Sequence, residues 1–286
     1  MKIYRDHRGH GCLTPPFFHG RPSPPYQVKD MSIKPLGKRN YGSIPHMSGS
    51  RLGPSDQKAE PGQEEIATQK LRRGDHLIVT EKMDGSNVGV AMIDDVLFPL
   101  TRAGYLARTS PYEMHYVFSE WVYENSERFK SLLKNGERVV GEWCVQAHGT
   151  LYRLDVEPFF IFDLFGPNGN RVTFDEMAER DIDSGACFPW PRVVYRGSNA
   201  CSVEQFKTLI PPPGFHMALD GYEGGVWRVE THDRFNFIMK YVRQDKEDGK
   251  YLEADPPIIN SWVSNSEALK TYRKYYLSIA KENCIA

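Results

Sequence analysis

An apolar run, Leu77-Ile78-Val79-Thr80, leads through Glu81 into the hexapeptide KMDGSN at Lys82 to Asn87, and this junction constrains the fold more than any other part of the chain. Aliphatic and β-branched residues that stop at an Asp-Gly pair specify a strand ending in a tight bend. The bend holds an amine, that of Lys82, at a fixed place two residues before Asp84. A rigidly held lysine, once deprotonated, can attack phosphorus, so the junction suggests covalent nucleotidyl transfer. A solvated lysine in an Asp-Gly turn is the simpler reading for an isolated residue. The rest of the chain decides between the two.

After the bend, Val88 to Met92 and Val96 to Leu100 read as strands around an Asp94-Asp95 turn. Thr109 or Ser110 is expected to cap a helix with Pro111 in its first turn. Phe118, Trp121, Val122, Phe129, Leu132 and Leu133 at helical spacing carry it to Gly136. Further strands are expected at Val139 to Trp143, Phe159 to Phe165, Gly225 to Glu230 and Phe235 to Tyr241, with helices near Phe174 to Arg180 and Val203 to Ile210. Mixed strands with helices inserted between them imply an α+β sheet domain. The run from Tyr41 to Pro54 is rich in Gly, Ser and Pro and reads as an ordered loop, either a binding loop or a connector.

The ends read differently. Residues 1–34 are an irregular extension with little hydrophobic periodicity, and Met31 is a candidate alternative start. His7, His10 and Cys12 have no evident fourth ligand, so a His-rich arm is preferred to a metal site. Residues 246–286 form a short accessory segment, with a helix capped by Asn265 or Ser266 and Leu269, Tyr272, Tyr276 and Ile279 along one face. The five cysteines lack CxxC spacing, which fits a reducing, cytoplasmic compartment. No stretch has the length and apolarity of a membrane span.

With 36 Lys+Arg against 37 Asp+Glu, the chain lacks the basic excess of a dedicated nucleic-acid-binding domain. A local patch drawn from Lys70, Arg72, Arg73, Arg102, Arg108, Lys240 and Arg243 can still meet phosphates.

Segments downstream of KMDGSN extend the pattern: LTRAG around Arg102, GEW at Gly141 to Trp143, FIFD at Phe160 to Asp163, EGGV at Glu223 to Val226 and MKYVR at Met239 to Arg243. In this order they resemble the motifs of the covalent nucleotidyltransferases. KMDGSN ends in Asn87, as in RNA ligases of the phage nick-sealing and trypanosomal RNA-editing type, where DNA ligases and capping enzymes usually carry Arg. The resemblance covers residues 35–245 and implies a nucleotidyltransferase domain of mixed, mainly antiparallel sheets with flanking helices.

It further implies ATP as cofactor with Mg²⁺ or Mn²⁺, and as substrate RNA with 5′-phosphate and 3′-hydroxyl ends. Lys82 is then the nucleophile, and Arg102 and Lys240 contact phosphates. Glu142 holds the ribose, Phe162 stacks on adenine, and Glu142 and Glu223 organise the metal. Glu81 helps recognise the adenine edge through its backbone or its side chain, within a nucleotide site that also includes Gly85 and Asn87. The family's last motif usually has two lysines separated by one residue. Here Lys240 is flanked by Ile238 and Val242, and Arg243 is the candidate for the second charge. A free lysine titrates near pH ~10.4, so burial and nearby cations (Arg102, Lys240 and the metal) are expected to lower the Lys82 value. The alternatives are a DNA ligase or capping-type enzyme, or an inactive nucleotide- or RNA-binding module of the same fold.

Overall fold

The computed structural model describes residues 34–254 and 257–262, together with two short strands near the N-terminus. Those strands, β1 (Tyr4–Arg5) and β2 (Gly11–Cys12), pair antiparallel within a unit of their own, Met1–Ser32. The readings placed on His7, His10 and Met31, and the helix expected from Asn265 or Ser266, lie outside the described residues.

In the second unit the chain forms helix α1 (Pro61–Thr68) and then strand β3 (His76–Lys82), β4 (Ser86–Ile93) and β5 (Val96–Thr101). Helices α2 (Glu113–Glu124) and α3 (Ser126–Leu132) lead into β6 (Arg138–Trp143) and β7 (Phe159–Phe165). Helix α4 (Phe174–Asp183), β8 (Val193–Gly197), α5 (Val203–Leu209), β9 (Gly224–Glu230) and β10 (Phe235–Val242) follow. Two antiparallel sheets result, one ordered β10-β9-β3-β8 and the other β5-β4-β6-β7. This is the α+β architecture expected from the sequence. Strands β3 and β4 are adjacent in the chain but belong to different sheets. The Met83-Asp84-Gly85 bend is therefore where the chain crosses between them.

Strand alternation assigns the faces of the first sheet. Leu77, Val79, Trp227, Val229, Met239 and Tyr241 share a core with Ala67 of α1 and Phe206 of α5. Lys82, opposite Gly224, and Lys240, opposite Val226, take the other face. In the second sheet, Val88, Val90, Met92 and Val139 pack with Phe118, Val122, Phe129 and Leu132 of α2 and α3. That leaves Asn87 and Glu142, paired in register, on the face away from those helices.

Two local expectations change. The single helix expected up to Gly136 is broken at Asn125, whose φ/ψ of −103°/20° is not helical and whose Nδ2 donates to the Trp121 carbonyl at 2.9 Å. Ser110 does not cap α2. Its Oγ accepts from the Tyr112 N–H at 3.2 Å and lies 2.7 Å from His115 Nδ1. The Asp94-Asp95 hairpin forms as expected, both residues adopting positive φ (50° and 61°) as a tight two-residue turn requires.

The loop read between Tyr41 and Pro54 is ordered by backbone pairing with β10. Met47 N–H donates to the Lys240 carbonyl at 2.9 Å, Lys240 N–H donates to Pro45 at 2.9 Å, and Arg51 N–H donates to Val242 at 3.0 Å. The loop thus satisfies the free edge of β10 and fixes the backbone that carries Lys240.

Candidate active site

Lys82 closes β3 and projects from its face toward Glu223, the residue preceding β9; Nζ lies 2.6 Å from Glu223 Oε2 and 3.4 Å from the Met83 carbonyl. Gly85 sits so close to β6 that a Cβ there would stand 2.6 Å from the Trp143 carbonyl oxygen, so only glycine allows the bend. Its N–H donates to Glu142 Oε1 at 3.1 Å, joining the bend to the second sheet. Lys82, Glu142 and Glu223 are thus brought together as the motifs imply.

The electrostatics differ from expectation. Burial alone would push the Lys82 amine down, but the carboxylates of Glu223, Glu142 and Asp84 outweigh it and hold its pKa above the usual lysine value. Lys82 therefore keeps its proton in this arrangement, because its neighbours are anions rather than the expected cations. The amine that is lowered is Lys240, by burial and then by the charge of Lys82, with Arg102 adding to it. Burial pushes the Glu142 and Glu223 carboxyls up to about 7, against the pull of Lys82.

Arg102 follows β5 and is exposed. It donates to the Gly42 carbonyl at 3.3 Å and to Ser43 Oγ at 3.2 Å, within electrostatic reach of Glu142 and Lys240. Phe162 is the extra residue of a bulge where β7 passes β6, with its ring edge-on to Tyr41 at 5.3 Å and partly exposed. The Asn87 side-chain oxygen is buried with no hydrogen-bond partner among the described residues.

The Glu81 side chain lies elsewhere. Adjacent residues of a strand point to opposite faces, so its side chain leaves the Lys82 face. It is 1 % exposed and accepts the Phe215 N–H at 2.7 Å. Its backbone N–H donates to the Arg192 carbonyl at 2.9 Å. Arg243 braces the loop before β9, donating to the Asp220 carbonyl at 3.0 Å and lying 3.3 Å from Asp245.

The sequence reading took Asp84 only as a turn former. Its Oδ2 accepts the Gly149 N–H at 2.9 Å and lies 2.8 Å from Lys246 Nζ, and its N–H donates to Tyr152 Oη at 3.0 Å. Lys246 and Tyr152 belong to no recognised motif, and only the fold reveals them. Among the described residues no group of three His, Cys, Asp or Glu side chains converges to ligate a metal directly. Carboxylates spread around one lysine fit a hydrated hard cation held through water and phosphate oxygens, which is how Mg²⁺ is commonly bound. None of the helices among the described residues is long and apolar enough to cross a membrane.

The fold is similar to solved structures of the RNA ligase of Naegleria gruberi. With PPi, that protein is 18% identical with a TM-score of 0.47, covering 70% of this chain and 59% of its own. Mutants with ATP and Mn and with AMP and Mn give 18% and 16% identity and a TM-score of 0.46 each, covering 70% and 72% of this chain and 60% and 62% of theirs. This chain thus spans about three fifths of the length of those proteins. No curated protein matches the sequence. The RNA ligase family matches residues 75–242, more than half of the chain and the whole span from β3 to β10, and the chain belongs to that family.

Proposed function

We propose that this protein is an ATP-dependent RNA ligase that joins 3′-hydroxyl and 5′-phosphate ends through lysyl-AMP and RNA-adenylate intermediates. The observation that carries the reading is the position of Lys82 at the crossing between the sheets, its amine among Glu223, Glu142 and Asp84 with the cations Lys240 and Arg102 in range. Lys82 Nζ bonds to the α-phosphorus of ATP and pyrophosphate leaves. An oxygen of the RNA 5′-phosphate then takes the AMP, which releases the lysine, and the 3′-hydroxyl displaces AMP to form the phosphodiester.

Each neighbour has a separate task in this reading. Lys240 and Arg102 offset charge on the phosphates in the transition state. The Phe162 face stacks on adenine, an interaction worth ~1–3 kcal/mol for a base on an aromatic ring. Glu142, anchored on the Gly85 N–H, receives a ribose hydroxyl, and Asn87 keeps a free oxygen at the same face. Glu142 and Glu223 would hold a hydrated Mg²⁺ or Mn²⁺. The bound ion supplies positive charge that favours a neutral lysine amine. Glu223 Oε2, at 2.6 Å, is placed to take up the proton Lys82 must lose. Within this reading the nucleotidyltransferase domain, expected over residues 35–245, also draws residues 246–262 into its site.

The reading is tested with labelled RNA carrying 5′-phosphate and 3′-hydroxyl ends, presented as a nick, a hairpin loop and a free strand, with DNA ends and GTP as controls. Joining of at least one RNA form with ATP is expected. Joining of DNA ends alone, or use of GTP alone, would contradict it. A single lysine in the stretch from Met239 to Arg243 is what favours an inactive module, which would bind ATP without forming any adduct.

A further inference from the structure

Strand β10 presents Lys240 and Val242 on the same face as Lys82, since Val242 and Lys82 both pair with Gly224. At 242 the side chain is apolar and 5% exposed, so no positive charge comes from that position. The chain then turns back on itself. Arg243 N–H donates to the Glu223 carbonyl at 3.0 Å and Lys246 N–H to the Arg243 carbonyl at 3.2 Å. The turn returns the Lys246 side chain into the protein, only 4% exposed, with Nζ 2.8 Å from Asp84 Oδ2 and 2.5 Å from Thr150 Oγ1.

Burying an ammonium is costly unless it is paired and hydrogen-bonded, and both conditions hold here. The surroundings are shaped for it. A Cβ at Gly149 would stand 2.7 Å from Lys246 Nζ, and the Gly149 N–H donates to the same Asp84 oxygen. On the other side of the bend, Tyr152 Oη accepts the Asp84 N–H. Tyr152 is in turn fixed by the strap beyond β10, where its N–H donates to Asn260 Oδ1 at 2.7 Å and Asn260 Nδ2 donates to the Cys144 carbonyl at 2.9 Å. Asp84 adds negative charge to Lys82, Glu142 and Glu223, and Lys246 offsets it, acting on Glu223 as well.

We propose that Lys246 is a positioning residue for adenylation: its ammonium fixes the Asp84 carboxylate, and with it the bend that carries Lys82. It thereby supplies, four residues later, the second positive charge absent at Val242. The inference rests on the adenylation chemistry proposed above.

The test compares full-length wild type, K246M, K246R and the double variant D84N/K246M in single-turnover transfer of α-labelled ATP, over a range of ATP concentrations and with melting temperatures recorded. A bend displaced by an ångström or so is expected to lower the maximal rate of K246M about 10- to 100-fold, with half-saturating ATP within about 3-fold of wild type. K246R, which can still pair with Asp84, is expected to recover most of that rate, a recovery that lost packing alone would not give. The double variant removes both buried charges and keeps the fold if K246M alone does not; it is expected to be as slow as K246M. Wild-type rates in folded K246M or in the double variant would overturn the proposal, as would K246R no faster than K246M. If wild type itself forms no adduct, the adenylation reading fails. If wild type labels and the variants label equally well, this inference alone fails.

Discussion

Two buried groups of charged side chains differ in how completely they are paired, and the difference separates what holds the sheets together from what faces a ligand. In the first, Asp163 of β7 meets Arg228 of β9, and Arg228 also meets Glu230. Arg171 Nε lies 2.9 Å from Asp163, Tyr41 Oη donates to it at 2.6 Å, and Glu230 accepts the N–H of Phe174 at the start of α4. Burial opposes the charge on Asp163, but Arg228 and Arg171 outweigh it and hold the carboxyl below its ordinary value. In the second group, around Lys82, the carboxyls of Glu142 and Glu223 are pushed up to about 7 and the Asn87 oxygen has no hydrogen-bond partner among the described residues. Lys240 forms no ion pair among the described residues. A satisfied network fixes structure, whereas buried groups with perturbed titration and unused hydrogen-bonding capacity mark a site.

The contrast is broken most directly at Arg228. Changing Arg228→Met leaves Asp163 and Glu230, both with fully buried side chains, without their shared cation. Removing one partner from such a group costs about 3–5 kcal/mol, to be read by urea or thermal unfolding. Glu223→Gln is expected to do the opposite. Its unfolding free energy should fall less than that of Arg228→Met, because the Gln amide oxygen can still accept from Lys82, while adenylation falls about 100-fold. If both variants lose stability equally and keep equal activity, the two groups are not distinct in kind.

Glu81 sharpens the comparison, because it adjoins Lys82 in sequence but belongs to neither group. Burial pushes its carboxyl up to about 7, only partly countered by the Phe215 N–H and Arg192. A value higher in the folded than in the unfolded chain means the native state binds this proton more tightly. Glu81 therefore withdraws stability as pH rises from about 4.5 to 7. Glu81→Gln is expected to be more stable than wild type by roughly 1–3 kcal/mol at pH 8, with the gap closing toward pH 4.5. A gap independent of pH would show that Glu81 is not titrating in that window.

What the sequence made legible follows from how local each signal is. Every strand of the two sheets except β8, and the Asp94-Asp95 hairpin, were readable because each rests on alternation or on a short turn, whereas Lys82, Glu142 and Glu223 were readable through the order of the family-like motifs. Helix α1 was not, since Ala67 is its only fully buried residue, and neither was β8, a short strand that is mostly half-exposed. Glu81 was expected at the adenine edge through its backbone or its side chain, and alternation in β3 turns the side chain away from the Lys82 face. That anions lie nearest Lys82 was not legible for a related reason. Motif order says which charges approach a lysine but not which come nearest, and Glu223 lies at 2.6 Å. Lys246 could not be found at all, because a single lysine in a polar stretch carries no local pattern and its meaning comes from reaching Asp84.

The central claim is that Lys82 is the residue adenylated. Incubation of the full chain with α-labelled ATP and Mg²⁺ or Mn²⁺, followed by peptide mapping, tests it most directly. The account predicts one AMP in acid-labile linkage on the peptide containing Lys82, absent from Lys82→Ala. Label that persists in Lys82→Ala, or ATP binding with no covalent adduct, would contradict it.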